Sequence, residues 1–270
     1  LLKNNHKYKP LILITNDDGI NSPGLNALAE AVSPFARLLI AAPKKQQTGM
    51  GRAFLKGDKV GMIESKNINI NGRTVKAYAV NASPAQSVAH AVLEIAAEKP
   101  DYCISGVNYG ENLGLSYTCS GTLGAAFEAD SLGIPSIAFS RAFPFNKQKS
   151  SDFSDLDWKV EKYHISKIVK NIIESGFPGK TRILNVNFPK NLKRETELRI
   201  TRQAYMNYAR YIKPADRNFS DAQSLKWELN PSIKNAEKDT DIYAVHFDNV
   251  ISLTPLSSRM SVEVDNYYGR

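Results

Sequence analysis

Leu11-Ile12-Leu13-Ile14-Thr15-Asn16-Asp17-Asp18-Gly19, LILITNDDG, runs from an apolar stretch straight into two adjacent carboxylates. Leu11–Thr15 reads as a buried parallel strand, because the apolar run is short and continuous and a turn-forming cluster ends it. Like charges side by side repel, and the tip of a strand is expected to offer them little helix dipole or other fixed compensation. Something positive is therefore expected between them.

Working outward, Ser22-Pro23 pairs an N-cap residue with proline at the first helical position, and GLNALAEAV continues at helical spacing. Arg37–Ala42 is a second strand, closed by Pro43, and a polar, glycine-bearing loop follows over 43–57. Asn71-Gly72 between Lys59–Ile70 and Arg73–Val80 predicts a hairpin. Ser83-Pro84 opens a helix to about Ala97, Tyr102–Ser105 is a strand, Ser120 caps a helix stopped by Gly133, and Ser136–Ser140 is a further strand. This alternation predicts an α/β protein with an open, mostly parallel sheet. Ligands of such sheets bind beyond the carboxyl ends of the strands. Asp17, Asp18, Thr48 and Asn108 all follow strands at that edge, so four polar positions far apart in sequence are expected to meet there. After 141 the pattern loosens. Asn146–Asp157 is expected as a loop, Trp158–Glu174 as a helix, and Ile183–Asn187 and Leu198–Thr201 as strands. Residues 203–240 are expected to form an extended arm. Ile242–His246 and Val250–Leu253 are expected to form an antiparallel pair.

The 270 residues suffice for one large domain with a full core. The net charge of +8 is uneven, with 13 Lys/Arg against 11 Asp/Glu in residues 1–140 and 22 against 16 in 141–270. Diffuse basicity of this kind suits solubility and attraction of small anions better than binding to a nucleic-acid duplex, and no Lys/Arg block or RNA-binding signature occurs. No apolar run approaches the length of a membrane span, so no membrane partner is expected. The first residues show no signal-peptide pattern, and Cys103 and Cys119 fit no metal or redox spacing. Both thiols are expected to be buried, and the location is expected to be cytoplasmic.

The chemistry of the acidic pair narrows by spacing. An EF-hand would place Glu where Leu25 stands, and a haloacid-dehalogenase-type site would separate its two aspartates by one residue. Two readings stay open: a simple turn in which the Asn and Asp side chains bond nearby backbone groups, and a hard divalent cation held by both carboxylates and completed by neutral oxygens. The hydroxyl of Thr48, in QQTGMG, and the amide of Asn108, in ISGVNYGEN, could supply such oxygens. Ser120-Gly121-Thr122 opens a helix, and the orphan N–H groups there suit a phosphate. The patterns GxxxxGK[ST], GxGxxG after a strand, HExxH and GxSxG are absent.

Taken together, ILITNDDGINSPGL, AAPKKQQTGMG, NASPAQSVAHAV, ISGVNYGENLG, SGTLGAAFEADSLGIPSIAFS and DTDIYAVHFDNVISLTPL resemble the SurE (survival protein E) family, in order, from about residue 10 to 256. The resemblance implies a metal-dependent phosphatase acting on nucleoside 5′- and 3′-monophosphates, with a broader acid phosphatase or short-chain exopolyphosphatase as the alternative. It implies one divalent ion per subunit, Mg²⁺ or Mn²⁺ with Ca²⁺ as a substitute, on Asp17, Asp18, Thr48 and Asn108. Catalysis is assigned to Asp17 and Asp18, and phosphate or substrate binding to Asn16, Asn108, Ser120, Gly121 and Thr122. The implied fold is a three-layer α/β/α sandwich with a Rossmann-like sheet and a β-rich C-terminal extension. An α/β phosphatase core over 1–190 and an extension with arm and tail over 191–270 are expected, in a homodimer or homotetramer that exchanges C-terminal segments. Two positions depart from the family pattern: the loop hydroxyl, commonly Ser, is Thr48, and a usual carboxylate is Gln86, expected here to support the start of its helix. Aromatic candidates for recognising the base are Tyr109, Tyr117 and Phe54.

Overall fold

The computed structural model describes residues 9–143 and 156–261. The strands are β1 (Leu11–Thr15), β2 (Arg37–Pro43), β3 (Ile63–Ile70), β4 (Arg73–Val80), β5 (Tyr102–Tyr109), β6 (Ser136–Arg141), β7 (Ile183–Phe188), β8 (Leu198–Ile200), β9 (Ala209–Tyr211), β10 (Trp227–Leu229) and β11 (Ile251–Leu256). Nine of them form one sheet in the order β3-β4-β2-β1-β5-β6-β7-β11-β8. The segment from β4 to β7 is parallel, whereas β3 and β11 run antiparallel to their neighbours β4 and β7. The helices are α1 (Pro23–Val32), α2 (Pro84–His90), α3 (Gly121–Ser131) and α4 (Lys159–Ser175).

The period-2 alternation of β1 produces the layers. Ile12 and Ile14 pack with Leu25 and Leu28 of α1 and Ile165 and Ile168 of α4. Leu13 faces the other way, into a cluster with Val88 of α2 and Ala125 and Ala129 of α3. Helices thus cover both faces, and the carboxyl ends of β1, β2 and β5 open on one edge. The hairpin forms at Asn71-Gly72, both with positive φ (51° and 78°), as that turn requires.

Three expectations change. β5 continues four residues past Ser105, with a register irregularity between Ser105 and Asn108, so Asn108 lies in the strand opposite Ser140. Tyr243–Phe247 is a π-helical turn, not a strand, and β11 pairs with β7 and β8 instead. The short run fits either period; burial decides it, because helical geometry sends Ile242 and Val245 into one cluster with Leu113, Ala204, Tyr208 and Ile233. The expected 203–240 arm contains a two-stranded hairpin, β9 with β10. Most of the loop expected over Asn146–Asp157, and the tail beyond 261, lie outside the described residues.

The arm's root is tied to the body by one buried carboxylate. Asp241 accepts hydrogen bonds from the backbone N–H groups of Gly114 (2.8 Å), Ala204 (2.9 Å) and Ile242 (2.8 Å) and from the Tyr117 hydroxyl (2.5 Å). Removing it strips three buried backbone donors of this acceptor and leaves the Tyr117 hydroxyl only its longer bond to Thr254 (3.3 Å). Asp241→Ala is expected to lower the unfolding free energy by about 2–4 kcal/mol, measured by urea denaturation.

Candidate functional site

The acidic pair stands at the carboxyl tip of β1, and the turn after it is closed by Asn16. Its amide accepts from the Gly19 N–H (3.0 Å) and donates to the Gly19 carbonyl (3.1 Å), so both ends of that side chain are spent inside the turn. The loop after β2 folds back over the turn, with Gln47 N–H donating to the Asp17 carbonyl (2.7 Å) and Gln46 Nε2 to Asp18 Oδ1 (3.2 Å). This loop also carries Thr48.

A helix dipole, of which little is expected at a strand tip, does reach the pair. α3 begins against Asp17: the Thr122 hydroxyl donates to Asp17 Oδ1 (2.6 Å), and a Cβ on Gly121 would stand 2.8 Å from Asp17 Cβ. Only glycine permits this approach. It brings the positive end of an 11-residue helix to the carboxylate. Ser120 caps the helix by accepting from Leu123 N–H (3.1 Å). A second glycine contact fixes the loop, because a Cβ on Gly124 would meet the Gly51 carbonyl at 2.0 Å. Gly51 N–H donates to the Cys119 carbonyl (3.0 Å), and Arg52 reaches Glu128 on the same helix (2.6 Å).

Gln86 completes the clamp. Its Oε1 accepts from Leu55 N–H (2.9 Å), its Nε2 donates to the Leu55 carbonyl (3.0 Å), and within α2 it forms a capping box with Ser83. A carboxylate could accept the first bond and could not donate the second.

Burial raises the Asp17 pKa from 3.8 to about 6, opposed by the Thr122 hydroxyl. Asp18 is pushed well up as well, first by burial and then by the Asp17 charge, against the lowering effect of Gln46 and the backbone of Tyr109. Asp18 Oδ2 is buried and takes no hydrogen bond from the described residues. Two carboxylates resisting ionisation, one with an orphaned oxygen, fit a site for a cation. Among the described residues no group of three His, Cys, Asp or Glu is arranged to hold a metal, so further ligands would be neutral oxygens.

Asp17, Thr48, Asn108 and Ser120 line one cleft of about 320 Å³. Asn108 donates from Nδ2 to the Gly110 carbonyl (2.8 Å), which fixes the plane of its amide. Thr122 and Asn16 are fully buried, and their side chains bond to Asp17 and Gly19 respectively. Of the aromatic candidates, Tyr109 lines the cleft, but its hydroxyl is bonded to Gly24 N–H (3.1 Å). Tyr117 is buried on Asp241, and Phe54 is exposed and not among the lining residues. Cys119, expected to be buried, is exposed on the cleft wall. Sequence reasoning missed Gln46, although it lies in the quoted QQT, and the arm residues Tyr208, Tyr211 and Trp227 that form the far wall. No local signal places the arm there, since its position depends on Asp241.

The fold and cleft define a doubly wound α/β protein with an oxygen-lined ligand site at the carboxyl edge of its sheet. The chain matches the family model "Survival protein SurE" over residues 12–210. It is 36% identical over 253 residues to a "5'-nucleotidase SurE" of Methanocella arvoryzae, covering 93% of this chain and 92% of the relative. It is 33% identical over 262 residues to the protein of the same name from Methanosarcina acetivorans, covering 95% of each. The crystal structure of the SurE protein from Aquifex aeolicus superposes with a TM-score of 0.71 at 31% identity, over 93% of this chain and 95% of that one. The chain belongs to the SurE family.

Two outcomes follow from this geometry. A carboxylate whose pKa is raised by folding adds stability below its unfolded value of 3.8, and that stability is lost as pH rises through about 6. In chelator, the urea midpoint is therefore expected to fall between pH 4.5 and 7, and to fall less in Asp17→Asn. Gly124→Ala is expected to push the Thr48 loop off α3 and weaken divalent-ion binding at least about tenfold by isothermal titration, because the clash is with backbone.

Proposed function

We propose that the chain is a phosphomonoesterase that binds a divalent cation and hydrolyses nucleoside 5′- and 3′-monophosphates to nucleoside and phosphate. The observation that carries this reading is the meeting of Asp17, Thr48, Asn108 and Ser120 in one cleft, with the half-buried Asp18 next to Asp17 in the chain, in a family whose curated relatives are named 5'-nucleotidase SurE.

Asp17, Asp18, Thr48 and Asn108 would hold one ion per subunit, Mg²⁺ or Mn²⁺, with Ca²⁺ compatible with the same oxygen donors. When bound, such an ion supplies Lewis acidity toward a phosphoryl oxygen and lowers the pKa of water. The chain's own residues do the rest. Thr122 and Gln46 hold the two carboxylates in place, and burial makes those carboxylates more basic acceptors for the proton of an attacking water. Ser120, Gly121 and the first turn of α3 turn a positive helix end toward the phosphate. Asn108 offers its amide to the substrate side of the cleft. A homodimer or homotetramer belongs to the same reading, supported by the exposed apolar side chains of Tyr205, Phe219 and Ile200. No helix among the described residues is long and apolar enough to cross a membrane. A cytoplasmic location is part of the proposal.

The test is a panel of nucleoside monophosphates, p-nitrophenyl phosphate and short polyphosphate, assayed with Mg²⁺, Mn²⁺ or chelator. Turnover of the nucleotides is expected, lost in chelator and reduced about 10³-fold or more in Asp17→Asn. Turnover indifferent to both changes overturns the assignment, and polyphosphate turned over faster than any nucleotide favours the broader phosphatase.

A further inference from the structure

We propose that Arg210 holds a second phosphate of the substrate, so that the cleft prefers nucleoside 3′,5′-bisphosphates to nucleotides with one phosphate; this deepens, and rests on, the nucleotidase reading above. Among the described residues lining the cleft, Arg210 is the one Lys or Arg, and the carboxylates there are Asp17 and Glu111. Arg210 stands in β9, on the arm, whereas Asp17, Asn108 and Ser120 belong to the carboxyl edge of the sheet and the start of α3. The cationic side chain of the wall is therefore carried by a different element from the groups assigned to the reacting phosphate.

Charge makes that placement informative. Asp17, Asp18 and one divalent ion sum to zero, so a phosphate bound there keeps its own charge, met by the positive end of α3 and the Asn108 amide. A guanidinium on the arm suits a further dianion, because its planar fork of N–H groups matches phosphate oxygens. The two phosphates of a 3′,5′-bisphosphate are separated by the sugar, as Arg210 and the edge donors are separated by their elements. The cleft's volume of about 320 Å³ lies within the range of small-molecule sites.

The present partner of Arg210 holds it weakly. Glu228 lies opposite it in the hairpin register, and Arg210 donates from both Nε (2.9 Å) and Nη2 (2.7 Å) to the same oxygen, Glu228 Oε1. The rest of the five-donor fork is unspent in this pair. Both side chains are about half exposed, where an ion pair contributes little, and Glu228 does not line the cleft. Glu228 thus acts as a counter-ion that yields the guanidinium to a phosphate entering beside it. The arm that carries the pair is fixed at its root by Leu115 N–H on the Met206 carbonyl (3.0 Å) and Asn230 N–H on the Tyr208 carbonyl (2.9 Å).

The test measures kcat/KM for adenosine 3′,5′-bisphosphate and for 5′-AMP, with Mg²⁺ or Mn²⁺, and reads their ratio. The wild-type chain is expected to favour the bisphosphate. Arg210→Gln is expected to lower the ratio about tenfold, mainly through KM, and Arg210→Lys to keep part of the preference. Glu228→Gln removes the competing carboxylate and is expected to raise the ratio about twofold or more, a change in the opposite direction that misfolding does not produce. A wild-type chain without the preference, or a ratio unmoved in Arg210→Gln because both substrates lose equally or neither does, overturns the role of Arg210 while leaving the nucleotidase reading in place. A wild-type chain that turns over neither nucleotide overturns the nucleotidase reading itself, before any variant is compared.

Discussion

Asp17 and Asp18 leave the end of β1 side by side and largely out of water, and the surrounding structure is arranged around the cost of keeping them there. Each charge opposes the other, and burial opposes both. The chain offsets part of this with Thr122, Gln46 and the positive end of α3, yet Asp17 still titrates near 6 and one oxygen of Asp18 still lacks a partner. Fixed dipoles are insufficient for two charges; a doubly positive ion would complete the compensation. On the proposed reading, cation affinity would be stored in the fold as this unrelieved electrostatic strain.

That arrangement depends on close backbone approach. α3 reaches Asp17 because residue 121 has no side chain, and the Thr48 loop reaches α3 because residue 124 has none. Gln86 holds the far end of the same loop by matching both polar groups of Leu55. Gln86 thus fastens the loop with an amide that donates as well as accepts, which a carboxylate could not do. That role places residue 86 in the support of the site and not among the groups facing the cleft.

Legibility followed locality. β1, the Asn71-Gly72 turn, the Ser83 and Ser120 caps and the α/β class are decided by residues within a few positions of one another, and each forms as its local chemistry dictates. The acidic pair stood out because a turn of two carboxylates after an apolar strand demands an explanation. What escaped was set by partners distant in sequence. Asn108 lies inside β5 because the register irregularity lets the strand continue alongside β6, and nothing in SGVNYG announces that. Tyr243–Phe247 carries a pattern short enough for either period, and the cluster around Leu113 selected the helical one. The dipole missing from the view at the strand tip comes from a helix that begins more than a hundred residues later.

The arm shows how such distant dependence makes a binding surface. Its hairpin has three residues on each strand and few buried contacts of its own, too little to hold a position in water unaided. Its root is fixed by Asp241, whose four donors come from Gly114, Tyr117, Ala204 and Ile242, three different stretches of chain. The Gly114–Tyr117 stretch runs directly into Ser120, the cap of the helix that meets Asp17. One buried carboxylate therefore ties the far wall of the cleft to the element that orients the acidic pair. The Leu115 N–H to Met206 carbonyl bond and the Gln203 side chain on the Gly114 carbonyl join the same two stretches, so the oxygen-donor end and the aromatic end are linked through the folded core.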